Sequence, residues 1–177
     1  APPSYLPSSV PSEAPPAVTI SVIGDVMCLA PQLSAAYNKK TKTYEFDSVF
    51  APVKPLLSAA DITIGNLETT LPGDRKKYSG YPQFGAPDSL AGALKRAGVD
   101  VLTLANNHSV DKFKSGMLRT IKVVDQMGFA HLGTYSSLDD HKKRRVLFME
   151  RKGLRLAMLN YTYGTTGIRV PKGTVVN

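Results

Sequence analysis

Residues 87–108 read PDSLAGALKRAGVDVLTLANNH, and this one stretch holds a helix pattern, a stop and a strand pattern. Pro87 marks the start of the helix, and Gly98 supplies its stop. The apolar run at 99–104 then predicts a buried strand, which ends at two asparagines and a histidine. A helix joined so closely to a strand is the repeating unit of an α/β fold.

The same alternation extends through the rest of the chain. A helix over 46–60 is short or kinked, because Pro52 and Pro55 interrupt it. Further strands are predicted at 17–23, 61–65 and 129–133, and the first of these is expected to be buried on both faces. A further helix is predicted at 115–127, and a hairpin is predicted from 145–150 and 154–162. This order predicts an α/β fold with a mostly parallel sheet and flanking helices.

Length and composition predict one globular domain with a separate N-terminal segment. The chain has 177 residues, of which 42% are hydrophobic, and it contains no apolar run of about 18 residues that would span a membrane. Residues 1–17 hold six prolines and four serines, which predicts a disordered tether ahead of a domain at 18–177. Such a tether is what remains after removal of an export signal or anchor, and the alternative interpretation is an ordinary disordered cytosolic tail.

The chain is basic, with a formal net charge of +8 and clusters at Lys39–Lys42, Arg75–Lys77 and His141–Arg145. Such a field attracts polyanions, which include nucleic acids, anionic lipids and acidic polymers. We expect no nucleic-acid partner, because no nucleic-acid-binding module is visible. The single cysteine, Cys28, excludes an internal disulfide and a cysteine-based zinc site, and it reads as a core residue.

Polar residues follow three of the predicted strands. Asp25 ends the first strand, Asn66 and Glu68 end the second, and Asn106, Asn107 and His108 end the third. Ligands of open α/β sheets bind beyond the carboxyl ends of the strands, so these side chains are expected to share one crevice. Carboxylate, amide oxygen and imidazole suit a divalent metal such as Mn, Fe or Zn.

Each of these residues also has a structural interpretation. Asp25 can cap a helix or form a turn, the asparagines are turn formers, and Glu68 can be an exposed charge. Asp111 either caps the helix that follows or orients His108 from behind, and the cap is the interpretation we prefer. His131 is expected to be structural, and His141 to lie in a solvated charged turn.

Four stretches carry a family resemblance: GDVM (24–27), ADITIGNLETTL (60–71), FGAPDSLAGALKRAGVDVLTLANNH (84–108) and LNYTYGTTG (159–167). From Val18 onward the chain resembles the bacterial capsule-synthesis protein CapA family, which includes the PgsA proteins of poly-γ-glutamate synthesis. That family looks like a relative of the calcineurin-like metallophosphoesterases, which build a two-metal site on an αββα sandwich. The resemblance implies that this chain is the N-terminal part, about half of such a sandwich.

The resemblance also implies roles for individual residues. Asp25 matches the first-motif aspartate, Glu68 stands near the bridging carboxylate, and Asn107 matches a metal ligand. His108 matches the catalytic histidine that contacts the transferring group. The chain departs from the metallophosphoesterase pattern at Met27, where a histidine is usual, and at Ser109, where an acidic residue is common. The later histidine motifs of that pattern are not in this sequence, so we expect the chain to be inactive by itself.

Two functions from different classes follow as expectations. The first is an extracellular, membrane-anchored protein of capsule biosynthesis or export with a metal-dependent phosphoesterase-like site, the anchor lying outside this chain. The second is a non-catalytic scaffold or polymer-binding accessory of a capsule synthase. Both imply an anionic capsule polymer and membrane synthase components as partners. A general phosphodiesterase is less favoured because of Met27.

Overall fold

The structure is a computed structural model that describes residues 16–177. The tether predicted over 1–17 lies outside the described residues, apart from Pro16 and Ala17. In chain order the elements are β1 (Ile20–Val26), α1 (Ala30–Ala36), β2 (Tyr37–Asn38), β3 (Thr43–Tyr44), α2 (Asp47–Phe50), α3 (Lys54–Leu57), β4 (Ile62–Leu67), a 3-10 helix (Arg75–Lys77), α4 (Asp88–Ala97), β5 (Val101–Thr103), α5 (Phe113–Gln126), β6 (Ala130–Leu132), β7 (Thr134–Tyr135), α6 (Leu138–Arg144), β8 (Leu147–Arg151), β9 (Leu154–Met158) and β10 (Val175–Val176).

A four-stranded parallel sheet, in the order β1-β4-β5-β6, forms the centre of the fold. Parallel strands need long crossover connections, and the helices α1 to α5 lie in these connections. All four carboxyl ends therefore point to the same edge of the sheet. The predicted α/β class with a mostly parallel sheet and flanking helices is confirmed.

The two faces of the sheet are covered by different elements. Leu102 belongs to the core shared with α4 and α5, which supply buried residues such as Leu94 and Ile121. Its neighbour Val101 faces the other way, into a smaller cluster against which the β8–β9 hairpin packs. Strand residues alternate between faces, so β5 joins both cores, and each fully buried Leu or Val contributes about 1.5–3 kcal/mol.

The first strand corrects one expectation. We predict a strand buried on both faces at 17–23, but Val22 is 72% exposed and Ile20 is 45% exposed. The reason is that β1 is an end strand of the sheet, and the β8–β9 hairpin packs against residues of the other three strands, so that part of β1 stays open to solvent.

Helical predictions succeed where apolar periodicity is strong. The kinked helix at 46–60 is two short helices, α2 and α3, and α4 and α5 lie within two residues of their predicted bounds. The charged turn predicted around His141 is wrong, since these residues form α6, whose start is capped by Ser137. The α1 helix and the β2–β3 hairpin were not anticipated. No helix within residues 16–177 is long and apolar enough to cross a membrane.

The other two structural predictions hold. Cys28 is buried in the main core, and burial raises the pKa of its thiol to about 11, which keeps it protonated at neutral pH. His131 is also buried, and its Nε2 lies 2.8 Å from a carboxylate oxygen of Asp125 on α5. Both side chains serve the packing of the fold.

Candidate functional site

The sheet register brings three strand ends side by side. A β-bulge between Ile23 and Asp25 shifts β1 by one residue, so that Asp25 pairs with Asn66 of β4. Asn66 in turn pairs with Thr103, the last residue of β5. The bulge therefore aims the carboxylate of Asp25 at the polar end of the neighbouring strand, as the three-strand pattern in the sequence predicts.

The amide of Asn66 joins two carboxylates. Its Nδ2 donates to Oδ1 of Asp25 at 2.8 Å and to Oε2 of Glu68 at 3.0 Å. Its Oδ1 accepts from Nδ2 of Asn106 at 3.2 Å and from Oγ1 of Thr103 at 3.2 Å. Each hydrogen of the Asn66 amino group thus serves one carboxylate.

The orientation of Asn66 is fixed from behind. Asn106 is buried, and its Nδ2 also donates to the main-chain oxygen of Leu67 at 2.9 Å. A carbonyl oxygen can only accept, so the Asn106 amide has a single consistent orientation. Asn106 therefore presents its amino group to Asn66, and Asn66 presents its own amino group to the carboxylates.

Asn106 and Ser109 also build the turn that carries His108. Oδ1 of Asn106 accepts from the backbone N–H of His108 at 3.0 Å, and the Ser109 hydroxyl donates to the Leu104 carbonyl at 2.6 Å. The Asn106 N–H donates to the same hydroxyl at 2.9 Å. Asparagine and serine form such local turns readily, so the departure at Ser109 has a structural explanation.

His108 is held on two sides and buried. Its Nδ1 lies 2.7 Å from Oδ2 of Asp111, which also accepts from the Phe84 N–H at 2.6 Å. The Phe84 ring packs edge-on against the imidazole, with centroids 4.6 Å apart. An ionised carboxylate only accepts, so Nδ1 carries a hydrogen, and in the neutral imidazole Nε2 presents a lone pair.

The preferred interpretation of Asp111 as a helix cap is wrong. Helix α5 begins at Phe113, and the residue before it, Lys112, makes no side-chain cap. Asp111 is instead fully buried beneath His108 and takes the orienting role that was the other alternative. Asp111 lies three residues after His108 and two residues before the start of α5, so its position in the sequence is compatible with either role.

Glu68 lies between His108 and Asp25. Its Oε1 is 4.0 Å from Nε2 of His108, and its other oxygen is held by Asn66. Burial raises the pKa of Glu68 above its usual range, and the negative charge of Asp25 raises it further. The two adjacent carboxylates thus disfavour full ionisation of the pair, and a cation bound between them would relieve their repulsion.

Asn107 makes no side-chain hydrogen bond to this group within residues 16–177. Its side chain is exposed, while its main-chain oxygen accepts from N and Oγ1 of Thr166 at 3.0 and 3.2 Å. These contacts dock the loop near Gly167 against the turn that carries His108. The assignment of Asn107 as a metal ligand, which the resemblance implies, stays a prediction.

The donors in the crevice fit a divalent cation in their chemistry. Carboxylates of Asp25 and Glu68 together with the bare Nε2 of His108 are ligands that Mn, Fe and Zn accept. The Asp111 carboxylate behind His108 is the arrangement that orients histidine ligands in metal sites. Within residues 16–177, however, no three His, Cys, Asp or Glu side chains are already gathered into a metal shell.

Two contributors were missed in the sequence. Thr103 supports Asn66 from the next strand, and Phe84 fixes the imidazole of His108 from a loop more than 20 residues earlier. The register of β4 with β5 would identify Thr103, but no local pattern marks Phe84 as a partner of His108.

The sequence comparisons give the family. A family model described as "Bacterial capsule synthesis protein PGA_cap" matches residues 19–175. The "Capsule biosynthesis protein CapA" of Bacillus anthracis is 30% identical over 149 residues, which are 82% of this chain and 34% of the relative. The "PGA biosynthesis protein CapA" of Bacillus subtilis (strain 168) is 27% identical over 147 residues, 82% of this chain and 37% of that relative.

A further relative, the protein y4sH of Sinorhizobium fredii, is 33% identical over 118 residues, which are 63% of this chain and 25% of the relative. The chain thus spans a quarter to about a third of the length of these curated relatives. The family model extends from the beginning of β1 to the last strand, and so includes every residue of the crevice. The chain belongs to the bacterial capsule synthesis protein family.

Proposed function

We propose that this chain supplies a metal-dependent, phosphoesterase-like hydrolytic site to capsule biosynthesis on the extracellular face of the membrane. The observation that carries the proposal is the crevice in which Asn66 holds Asp25 and Glu68, with His108 and Asp111 beside them. Carboxylates and an oriented imidazole at adjoining strand ends are the parts that such hydrolysis requires. The family membership supports the pathway, and the crevice supports the chemistry.

Each residue has a distinct part in this proposal. A divalent cation bound there would activate water and stabilise negative charge on the substrate. Asp25 and Glu68 would hold the cation, while Asn66 keeps their outer oxygens in place. His108, with its hydrogen on Nδ1, offers Nε2 to the cation or to the group being transferred. Asp111 maintains that orientation.

The proposal is tested by hydrolysis of bis(4-nitrophenyl) phosphate in the full-length protein supplied with Mn²⁺, Fe²⁺ or Zn²⁺. We expect Asp25→Asn and His108→Ala each to lower the rate by about 10²–10⁴-fold. His141→Ala, on α6, is the matched control for loss of an imidazole and should leave the rate unchanged. Equal rates in the wild type and both crevice variants would contradict the proposal.

The second candidate is a non-catalytic scaffold or polymer-binding accessory of the capsule synthase. Its support is the basic surface of the β2–β3 hairpin, whose lysines have no carboxylate partner within residues 16–177. Capsule production by cells that carry Asp25→Asn or His108→Ala decides between the candidates. Loss of capsule supports the hydrolase, and normal capsule with both variants supports the scaffold.

The proposed partners are an anionic capsule polymer and membrane components of the synthase. The Pro/Ser-rich segment at 1–17 would serve as the spacer between the domain and an anchor. Protease treatment of intact cells tests this placement, because an extracellular domain is cleaved while a cytosolic control protein survives. Protection of the domain in intact cells would overturn it.

A further inference from the structure

Two basic segments that lie far apart in the sequence form one surface, which we call the basic platform. It consists of Lys39, Lys40 and Lys42 in the β2–β3 turn and of Arg75, Lys76 and Lys77 in the 3-10 helix. All six side chains are exposed. In the sequence these are two separate clusters, and the fold brings them together into one surface.

Tyrosine rings join the two segments. The guanidinium carbon of Arg75 lies 4.2 Å above the centre of the Tyr37 ring. The rings of Tyr37 and Tyr44 lie 5.0 Å apart, and Tyr44 meets Tyr78 edge-on at 5.5 Å. Cation–π and aromatic contacts of this kind hold the 3-10 helix against the hairpin. The positive charges therefore stand on a defined support.

The charges of the basic platform have no carboxylate partners within residues 16–177, whereas some basic residues elsewhere do. Arg96 pairs with Asp47 at 2.7 Å and Arg119 pairs with Asp88 at 2.6 Å. The acidic residues next to the platform are engaged with backbone instead. Asp74 accepts from the Lys76 N–H at 3.0 Å, and Glu45 accepts from N–H groups at the start of α2.

The platform adjoins a groove that reaches one residue of the crevice. The groove, of about 1030 Å³, is lined by Asp25 and Met27 and, at the base of the hairpin, by Tyr37 and Asn38. A long ligand held on the platform can therefore extend along the groove as far as Asp25. Electrostatic attraction of this kind raises the local concentration of an anionic substrate.

We propose that the basic platform binds a polycarboxylate chain and delivers it to the neighbouring crevice. This inference rests on the proposed function, for which it names the surface that meets the anionic polymer. A flexible chain of carboxylates suits lysine ammonium groups, which act as point charges on mobile stems. Successive carboxylates can contact the hairpin turn and the 3-10 helix together.

The other polyanions fit the platform less well. Single-stranded nucleic acid is bound with bases stacked on open aromatic faces, but these tyrosines are half-buried and pack against one another and Arg75. Attachment to anionic lipid combines basic residues with exposed apolar side chains that insert. The segments 38–43 and 74–77 contain no exposed apolar side chain.

The test is calorimetric titration of the full-length protein with poly-γ-glutamate at low and physiological salt. In the platform variant, Lys39, Lys40 and Lys42 are replaced by Gln. In the control, Lys142, Lys143 and Arg145 are replaced by Gln, so both variants lose three exposed positive charges. We expect the platform variant to bind on the order of tenfold or more weakly, and the control to bind like the wild type.

Two results would overturn the inference. Equal weakening in both variants would mean that only net charge matters. Binding to vesicles that contain anionic lipid, without binding to poly-γ-glutamate, would mean that the surface meets a membrane.

A parallel titration with Mn²⁺ separates this inference from the proposed hydrolytic function. The platform variant should keep wild-type Mn²⁺ affinity, and His108→Ala should keep wild-type polymer affinity. Loss of polymer binding alone and loss of metal binding alone are thus distinct outcomes.

Discussion

At the scale of single residues, Asn66 is the link between the two carboxylates of the crevice. Its amino group donates to Asp25 and Glu68, and its orientation is fixed by Asn106. An amide behind metal ligands fixes their spacing, and loss of such a partner costs about 10–100-fold in metal affinity. Asn66 therefore acts as a positioning residue.

We expect Asn66→Ala to weaken Mn²⁺ binding to the full-length protein by about 10–100-fold in calorimetric titration. Asn38→Ala removes an exposed amide of the β2–β3 hairpin that makes no hydrogen bond to the crevice, and it serves as the control. Unchanged affinity in Asn66→Ala would show that the carboxylates hold their geometry without the amide.

A second prediction concerns the tautomer of His108. In Asp111→Ala, the carboxylate oxygen that accepts from both Nδ1 of His108 and the Phe84 N–H is removed. We expect the neutral imidazole to lose its preference for the hydrogen on Nδ1 and to populate both tautomers. Long-range ¹H–¹⁵N spectra of the imidazole report this directly. An Nδ1 hydrogen retained as in the wild type would contradict the assigned role of Asp111.

The residue scale also shows how far the sequence could predict the site. Asp25, Asn66, Glu68 and His108 meet as expected, because polar residues at the ends of parallel strands share one edge of the sheet. Their roles depend on hydrogen-bond direction, which a residue pattern does not contain. Asn66 was placed among possible metal-site residues, yet its amino group, not its oxygen, faces the carboxylates.

At the scale of elements, the glycine that ends α4 is more tightly constrained by its surroundings than the glycine that follows α5. Gly98 has φ +103°, and an added Cβ would lie 2.7 Å from Oγ of Ser58. Gly128 has φ +70°, and an added Cβ would meet nothing within 4 Å. Both glycines follow helices, but only Gly98 is also in close contact with another segment of the chain.

The two glycines therefore form a matched pair. The left-handed backbone should cost Gly128→Ala about 1–2 kcal/mol of unfolding free energy, and Gly98→Ala should lose more because Ser58 must shift. Urea unfolding of both variants measures the difference. Equal losses would mean that Ser58 moves aside freely.

Elements with strong apolar periodicity were predicted well, and elements defined by long-range contacts were not. The α4 helix shows its buried face in the sequence through Leu90 and Leu94. The β2–β3 hairpin has only two residues in each strand, and its tyrosines contact a 3-10 helix more than 30 residues later. A local pattern cannot specify such a partner.

At the scale of the whole molecule, Asp61 ties three segments together. Its carboxylate accepts from Lys152 in the β8–β9 turn at 2.8 Å and from the Thr19 N–H before β1 at 2.8 Å. The hydrogen bond from Lys152, followed by those from Thr19, lowers the pKa of Asp61 to about 2. These bonds connect the end strand, the start of β4 and the hairpin.

A lowered carboxyl pKa stabilises the fold above the unfolded-state value of about 3.9. This stabilisation is lost as the pH falls from about 4 to about 2. We expect the urea midpoint to fall over this interval in the wild type. Asp61→Asn should have a lower midpoint at pH 7 and a shallower decline. Parallel pH profiles in the two proteins would contradict this role of Asp61.

The central claim is that Asp25, Glu68 and His108 together bind a divalent cation. Calorimetric titration of the full-length, metal-free protein with Mn²⁺ tests it most directly, with Glu68→Gln and His108→Ala measured alongside. We expect stoichiometric binding in the wild type and its loss in both variants. Binding that both variants retain, or no binding in the wild type, would contradict it.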